Sequence, residues 1–176
     1  MDEKIGNNHP FKDLAEGLAK KGIVVLRYDK RTFVYGNELK KETGLSVKEE
    51  TIEDAILAAN FLRADSRMDG NKIFIIGHSM GGMLAPRINA EGGNFNGIII
   101  MAGSPRKLEE IMIDQNNDVL HSLNRFLKII ARKQIATIST KFNNIYNLNE
   151  EEAKSTKVLG KYVMAYYFKE MGEQSI

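Results

Sequence analysis

The chain of 176 residues contains no cysteine. That excludes a disulfide framework, a thiolate metal site and a thiol nucleophile, and it fits a reducing compartment. An excess of one charge is also lacking: 25 Lys and Arg stand against 23 Asp and Glu, a formal net charge of +2. Taken over the whole chain, this balance makes no electrostatic case for nucleic acid or an anionic membrane surface. Long apolar runs are missing too. Stretches such as Ile98 to Ala102 fall far short of the roughly 20 residues that span a bilayer, and no signal-peptide pattern opens the sequence. A cytoplasmic protein with neither nucleic acid nor membrane as partner is expected. Histidine is scarce, at three residues. No spacing among His9, His78, His121 and the carboxylates suggests a metal site, and Gly92-Gly93 lacks the lysine and hydroxyl of a phosphate loop. No cofactor is therefore expected.

What is present centres on Gly77-His78-Ser79-Met80-Gly81-Gly82. The motif follows the apolar run Ile73 to Ile76 and leads into Met83, Leu84, Ala85 and Ile88, which are spaced as one helix face. A G-x-S-x-G sequence between a strand and a helix is the setting of a nucleophile elbow. A turn this tight lifts the serine hydroxyl above the sheet, and small residues on either side leave room for it. Ser79 is the candidate nucleophile, with Gly77, His78 and Gly81 forming the elbow around it.

The length predicts one domain able to bury a real core. Pro10 suits a first helical position; Phe11, Leu14, Ala15 and Leu18 repeat at helical spacing, and Gly22 stops the helix. Ile23 to Leu26 reads as a strand. Ser46 with Glu49 forms a capping box ahead of a helix whose stripe is Ile52, Ala55, Ile56, Ala59 and Leu62, and Asp69-Gly70 turns the chain out of it. The strand Ile73 to Ile76, the elbow helix and the strand Ile98 to Met101 come next. Strands apolar on both faces and separated by helices predict an α/β fold with a parallel sheet.

From Pro105 onward no strand run is evident. Leu120, Leu123, Leu127 and Ile130 keep helical spacing, as do Leu159, Tyr162, Val163 and Tyr166, and Asn149 with Glu152 can cap the last helix. The sequence thus divides into a core over residues 1–104 and a helical segment over 105–176. That segment either covers the site as a lid or simply packs on the sheet.

Residues able to activate Ser79 are hard to find. His78 adjoins it, but that position in an elbow points its side chain away, toward packing or hydrogen bonding beneath the turn. His121 lies in a predicted lid helix, and His9 stands near an N-cap. Asp29 follows a strand end but sits among Arg27, Lys30 and Arg31, an arrangement that suits an ion pair. Asp114 and Asp118 read as solvated helix residues, and Ala102 to Pro105 offers no carboxylate.

Asp2 to Gly6, Pro10 to Ala15, Val25 to Arg31 and Ile75 to Arg87 together resemble bacterial α/β-hydrolases near the dienelactone hydrolases and cinnamoyl-type esterases. The resemblance covers almost the whole chain and is densest at Arg27 to Arg31 and Gly77 to Arg87. It implies a carboxylic ester hydrolase acting on a small-molecule ester, with Ser79 as nucleophile and the Met80 amide as one oxyanion donor. Members of the group begin earlier, with strands and a loop giving the second oxyanion amide. They also continue past the lid to the triad Asp and His. By that comparison this chain is a truncated middle portion, weakly active or inactive alone. The strand matching Ile23 to Leu26 is not adjacent, in that group, to the one matching Ile73 to Ile76. One absent strand between them would leave a gap of roughly 9.6 Å, so another chain's strand fills it or the sheet rearranges. Exposed sheet edges of this kind could also support a homo-oligomer. Two other readings stay open: a non-catalytic interaction or ligand-binding module on the same fold, and acyl-transfer or peptidase chemistry at the same serine.

Overall fold

The computed structural model describes residues 6–39, 45–159 and 163–172. Asp2 to Ile5 and Tyr162, used above, lie outside them. Helix α1 (Pro10–Ala19) starts with proline in its first turn, where a missing N–H is harmless, and gives way at Gly22, whose φ of 79° suits glycine. Two single-turn helices come next, α2 (Arg31–Val34) and α3 (Gly36–Leu39). A π turn (Lys48–Ile52) then runs into α4 (Glu53–Ala64). Its start uses half of the expected capping box. The Ser46 N–H donates to the Glu49 carboxylate at 2.9 Å, and the Ser46 hydroxyl also turns to that carboxylate instead of accepting from the Glu49 amide. Arg31 joins α2 to α4 through a forked contact on Asp54, at 3.1 Å from Nε and 2.5 Å from Nη2.

The sheet that carries the elbow is built from β1 (Phe74–His78) and β2 (Gly97–Met101), with α5 (Met80–Ile88) crossing between them. The strands are parallel, in register from Phe74 opposite Gly97 to His78 opposite Met101. This is a short parallel sheet of an α/β fold, as the alternation of strand and helix predicted. Beyond it lie α6 (Leu108–Leu120), α7 (Arg125–Asn144) and α8 (Glu150–Ser155). The Asn149–Glu152 box is complete at α8, each residue's side chain accepting from the other's backbone N–H at 2.9 Å.

Two expectations fail. Ile23 to Leu26 forms no strand. Among the described residues this sheet has two strands only, so nothing pairs with the segment, and Ile23 and Val24 are at least half exposed. A strand exists through its ladder, not through its side chains alone. The second half is also not all helical. After α8 the chain forms an antiparallel hairpin, β3 (Lys157–Leu159) with β4 (Val163–Met164), and then α9 (Ala165–Gly172). Leu159 and Val163 are four residues apart, a separation that suits a helix turn or a tight hairpin equally, and the hairpin form buries Val158 beside Phe142 and Ile145.

Buried apolar residues fall into two clusters. The first joins Val47, Ile52 and Ala55 to Leu84 and Ile88 of α5, and to Met171 of α9. The second joins Phe142, Ile145, Ala153 and Val158 to Ala165 and Phe168, also of α9. Helix α9 therefore belongs to both. Polar contacts fix it there: the Glu170 carboxylate accepts from the Val47 N–H at 3.0 Å and from Arg87 Nη2 at 2.8 Å, while Arg87 Nε donates to Glu91 at 2.6 Å. Arg87 and Glu170 side chains are only 14% and 13% exposed, so the pair is shielded and its partners depend on each other. Glu170→Ala should destabilise the chain by about 2–3 kcal/mol in urea denaturation, because it leaves a shielded guanidinium with Glu91 as its remaining carboxylate partner among the described residues and removes the acceptor of a backbone N–H. An effect below about 0.5 kcal/mol, the level of an exposed pair, would contradict this.

Candidate active site

The site is assembled at the carboxyl ends of β1 and β2. Ser79 is the first residue past β1 and holds φ 52° and ψ −118°, a conformation that L residues other than glycine rarely adopt. Ala102, the first residue past β2, holds φ 50°. Both strands therefore turn sharply at the same level, since His78 and Met101 are register partners. The Ser79 turn is held from both sides: its N–H donates to the Met101 carbonyl at 2.9 Å, and its carbonyl accepts from the Met83 N–H at 3.0 Å. The backbone strain at Ser79, of order 1–3 kcal/mol, is thus locked between the sheet and the first turn of α5.

Glycine matters at specific points of this turn. A Cβ on Gly77 would lie 2.5 Å from the Gly81 carbonyl carbon and 2.7 Å from the Gly82 nitrogen, with the Gly81 oxygen closer still. A Cβ on Gly82 would lie 3.1 Å from the Gly103 Cα. Strand β1, helix α5 and the loop after β2 therefore meet backbone against backbone. Gly81 differs, because a Cβ there would meet nothing within 4 Å. The steric demand expected of both flanking glycines falls on Gly77 and Gly82.

The expected site residues do not all converge. Ser79 is exposed, and Met80 opens α5, its side chain packed against the first core cluster. The His78 ring packs edge-on against Phe11 of α1, centroids 5.4 Å apart. His9 is the N-cap residue of α1 and His121 the exposed C-cap residue of α6. Asp29 precedes α2, and Asp114 on α6 pairs with Arg106 at 2.6 Å. Among the described residues, none donates to or accepts from the Ser79 hydroxyl, and no group of three His, Asp or Glu could hold a metal ion.

Sequence reasoning missed the support under Met80. Tyr167 of α9 donates its hydroxyl to Glu50 at 2.7 Å and lies 3.3 Å from Met80 Sδ, while Thr32 Oγ1 donates to the other Glu50 oxygen at 2.8 Å. Burial, and then the Glu50 carboxylate, push the Tyr167 phenol well above its ordinary range, so it remains a proton donor. No local pattern could reveal a contact between residues 87 positions apart.

A serine held at positive φ between a parallel strand and a helix, with glycine forced beneath it, is the geometry that a nucleophile elbow requires. The family comparison agrees: residues 7–158 match the model described as serine aminopeptidase, S33, and the chain belongs to that family. It is 40% identical over 168 residues to a protein named Esterase EstD from Thermotoga maritima, an alignment covering 88% of this chain and 39% of that protein. The chain thus spans about two fifths of the length of this curated relative. No solved structure matches it.

Two comparisons test the elbow. Gly77→Ala should destabilise the chain by more than about 3 kcal/mol or prevent folding, whereas Gly81→Ala should change stability by less than about 1 kcal/mol. Equal effects would refute the backbone contact. Ser79→Gly should unfold at higher denaturant than Ser79→Ala, by about 1 kcal/mol, because glycine removes the strain that alanine keeps. A reversed order would mean that Ser79 is unstrained in solution.

Proposed function

We propose that this chain carries the nucleophile of a serine hydrolase acting on small carboxylic esters, with Ser79 attacking and the Met80 amide as one oxyanion donor. The observation that carries the reading is the locked conformation of Ser79, φ 52° and ψ −118°, at the end of a parallel strand. The Met80 N–H belongs to the first turn of α5, where the N–H groups have no intrahelical acceptor and the helix dipole favours negative charge. In the complete reaction a base accepts the Ser79 proton and the serine oxygen attacks the ester carbonyl. The developing oxyanion is met by the Met80 N–H, the protonated alcohol leaves, and water then releases the acid. Ester rather than peptide substrates are supported by the relative's name, esterase. The segments Val25 to Arg31 and Ile75 to Arg87 support a place near the dienelactone and cinnamoyl esterase branch. The α6–α7 pair, with the later elements of residues 105–176, is proposed as the cap over the 1–104 core. The cavity of about 20 Å³ between Met112, Ile113, Ile138, Phe142 and Leu159 has room for a water, not for an acyl chain.

Because no described residue activates the Ser79 hydroxyl, the chain by itself is proposed to turn over slowly or not at all, orders of magnitude below a complete triad. A second reading, an interaction module that keeps the elbow as part of its fold, is favoured by one observation: the exposed apolar flank of Phe74 and Ile76 on β1. Intact-mass analysis after prolonged exposure to a fluorophosphonate separates the two. A single adduct on Ser79, absent in Ser79→Ala, would show a serine poised to react and would exclude the interaction module. A folded chain that takes up no adduct is expected of Ser79 without its base, and an adduct spread over other residues as readily as Ser79 would overturn the hydrolase reading. Hydrolysis of p-nitrophenyl acetate should not exceed that of Ser79→Ala, and steady turnover that depends on Ser79 would show that a base is in place.

A further inference from the structure

The near-neutral net charge conceals an uneven distribution. Between Val119 and Asn149 there is no Asp or Glu, but there are five Lys and Arg: Arg125, Lys128, Arg132, Lys133 and Lys141. The rest of the chain holds 20 basic and 23 acidic residues. Within this basic stretch, the first half of α7 is apolar on its outer side. Phe126 is 72% exposed, Ile129 63% and Ile130 43%. Together with Lys133 they follow the i, i+3, i+4, i+7 spacing of one helix face. The inward face of α7 is a different set: Phe142 is buried, Ile138 packs on its cluster, and Ile135 lines a small cavity together with Met112 and Ile113 of α6. The Phe126 stripe is therefore a second apolar face with no place in the core. Val119, near the end of α6, is also 57% exposed. Among the described residues none of Arg125, Arg132 and Lys133 is in an ion pair.

An apolar stripe with cations beside it on a helix that carries no acid, the nearest in sequence being Asp118 in the last turn of α6, is the chemistry of a helix that lies in an anionic interface. We propose that the α6–α7 tip docks peripherally on an anionic lipid surface, with Phe126, Ile129 and Ile130 entering the headgroup region and Arg125, Arg132 and Lys133 meeting the lipid phosphates. No described helix is long and apolar enough to span the bilayer, so docking is to one leaflet. A second copy of the chain is a poor occupant: a two-fold contact would set these cations against themselves. Nucleic acid would leave the apolar stripe without a partner. The proposal goes beyond the hydrolase reading and does not depend on it.

The chain has no tryptophan, so Phe126→Trp places a single reporter on the stripe. The variant is mixed with vesicles of phosphatidylcholine plus phosphatidylglycerol, and separately with pure phosphatidylcholine. Binding to the anionic vesicles with a blue-shifted tryptophan emission, weakened by added salt, is expected. In cosedimentation, Arg132→Ser and Lys133→Ser should each weaken binding of the native-sequence chain about five-fold. Phe126→Ser with Ile129→Ser should weaken it at least ten-fold while the helical circular dichroism is unchanged. No partition into anionic vesicles overturns the proposal, as does equal binding to pure phosphatidylcholine or an unshifted emission on bound protein. A concentration-dependent dimer lost in the Phe126→Ser variant also overturns it, by assigning the face to a second copy.

Discussion

The close backbone approach at Gly77 is the constraint on which the rest of the site depends. A strand can deliver its last residue into a sharp turn only if the following helix starts almost on top of it, and here the helix start lies where a Gly77 Cβ would have to be. Once that contact is made, the strained Ser79 conformation follows from geometry rather than from any preference of serine. The Met101 carbonyl and the Met83 amide then clamp it. Gly82 against Gly103 extends the same principle to the neighbouring strand. Three elements thus meet largely backbone against backbone, with the Ile100 side chain beside Gly82 and Gly103, and backbone has no rotamers through which to relax.

Much of this was legible in the sequence. The elbow, its two strands and its helix could be read because apolar run, glycine, serine, glycine and apolar helix face are all local features. The α8 box was legible for the same reason, since Asn149 and Glu152 need only each other. Ile23 to Leu26 misled because side-chain pattern signals a strand while the ladder decides one, and the described sheet offers it no neighbour. Leu159 and Val163 misled because one spacing serves two structures. The role of α9 was illegible on any local basis: Tyr167, Glu170 and Met171 act on Met80, Arg87, Val47 and Ile88, all distant in sequence.

The partners of α9 also differ in kind. Toward the second cluster it offers Ala165 and Phe168, whose ring meets Phe142 edge-on at 4.8 Å, a contact set by area and shape. Toward the first cluster it offers Glu170 and Tyr167 as well as Met171, so orientation there is set by directional bonds. The elbow helix is therefore positioned by hydrogen bonds at its flank and by volume at its base. A change in packing within the helical region would reach Met80 through Tyr167 without altering any residue of the elbow itself.

The 123-residue separation between Val47 and Glu170 has a consequence for biosynthesis. The cluster beneath α5 includes Met171, so it stays open on one side until residues 165–172 have left the ribosome. Strand β1, the elbow and β2 can pair earlier, since their contacts are short in sequence. The Ser79 turn is thus translated long before its foundation, and loop closure over this distance comes late in folding. A nascent chain passes through a period in which its elbow exists without its support, and chaperone demand should concentrate there.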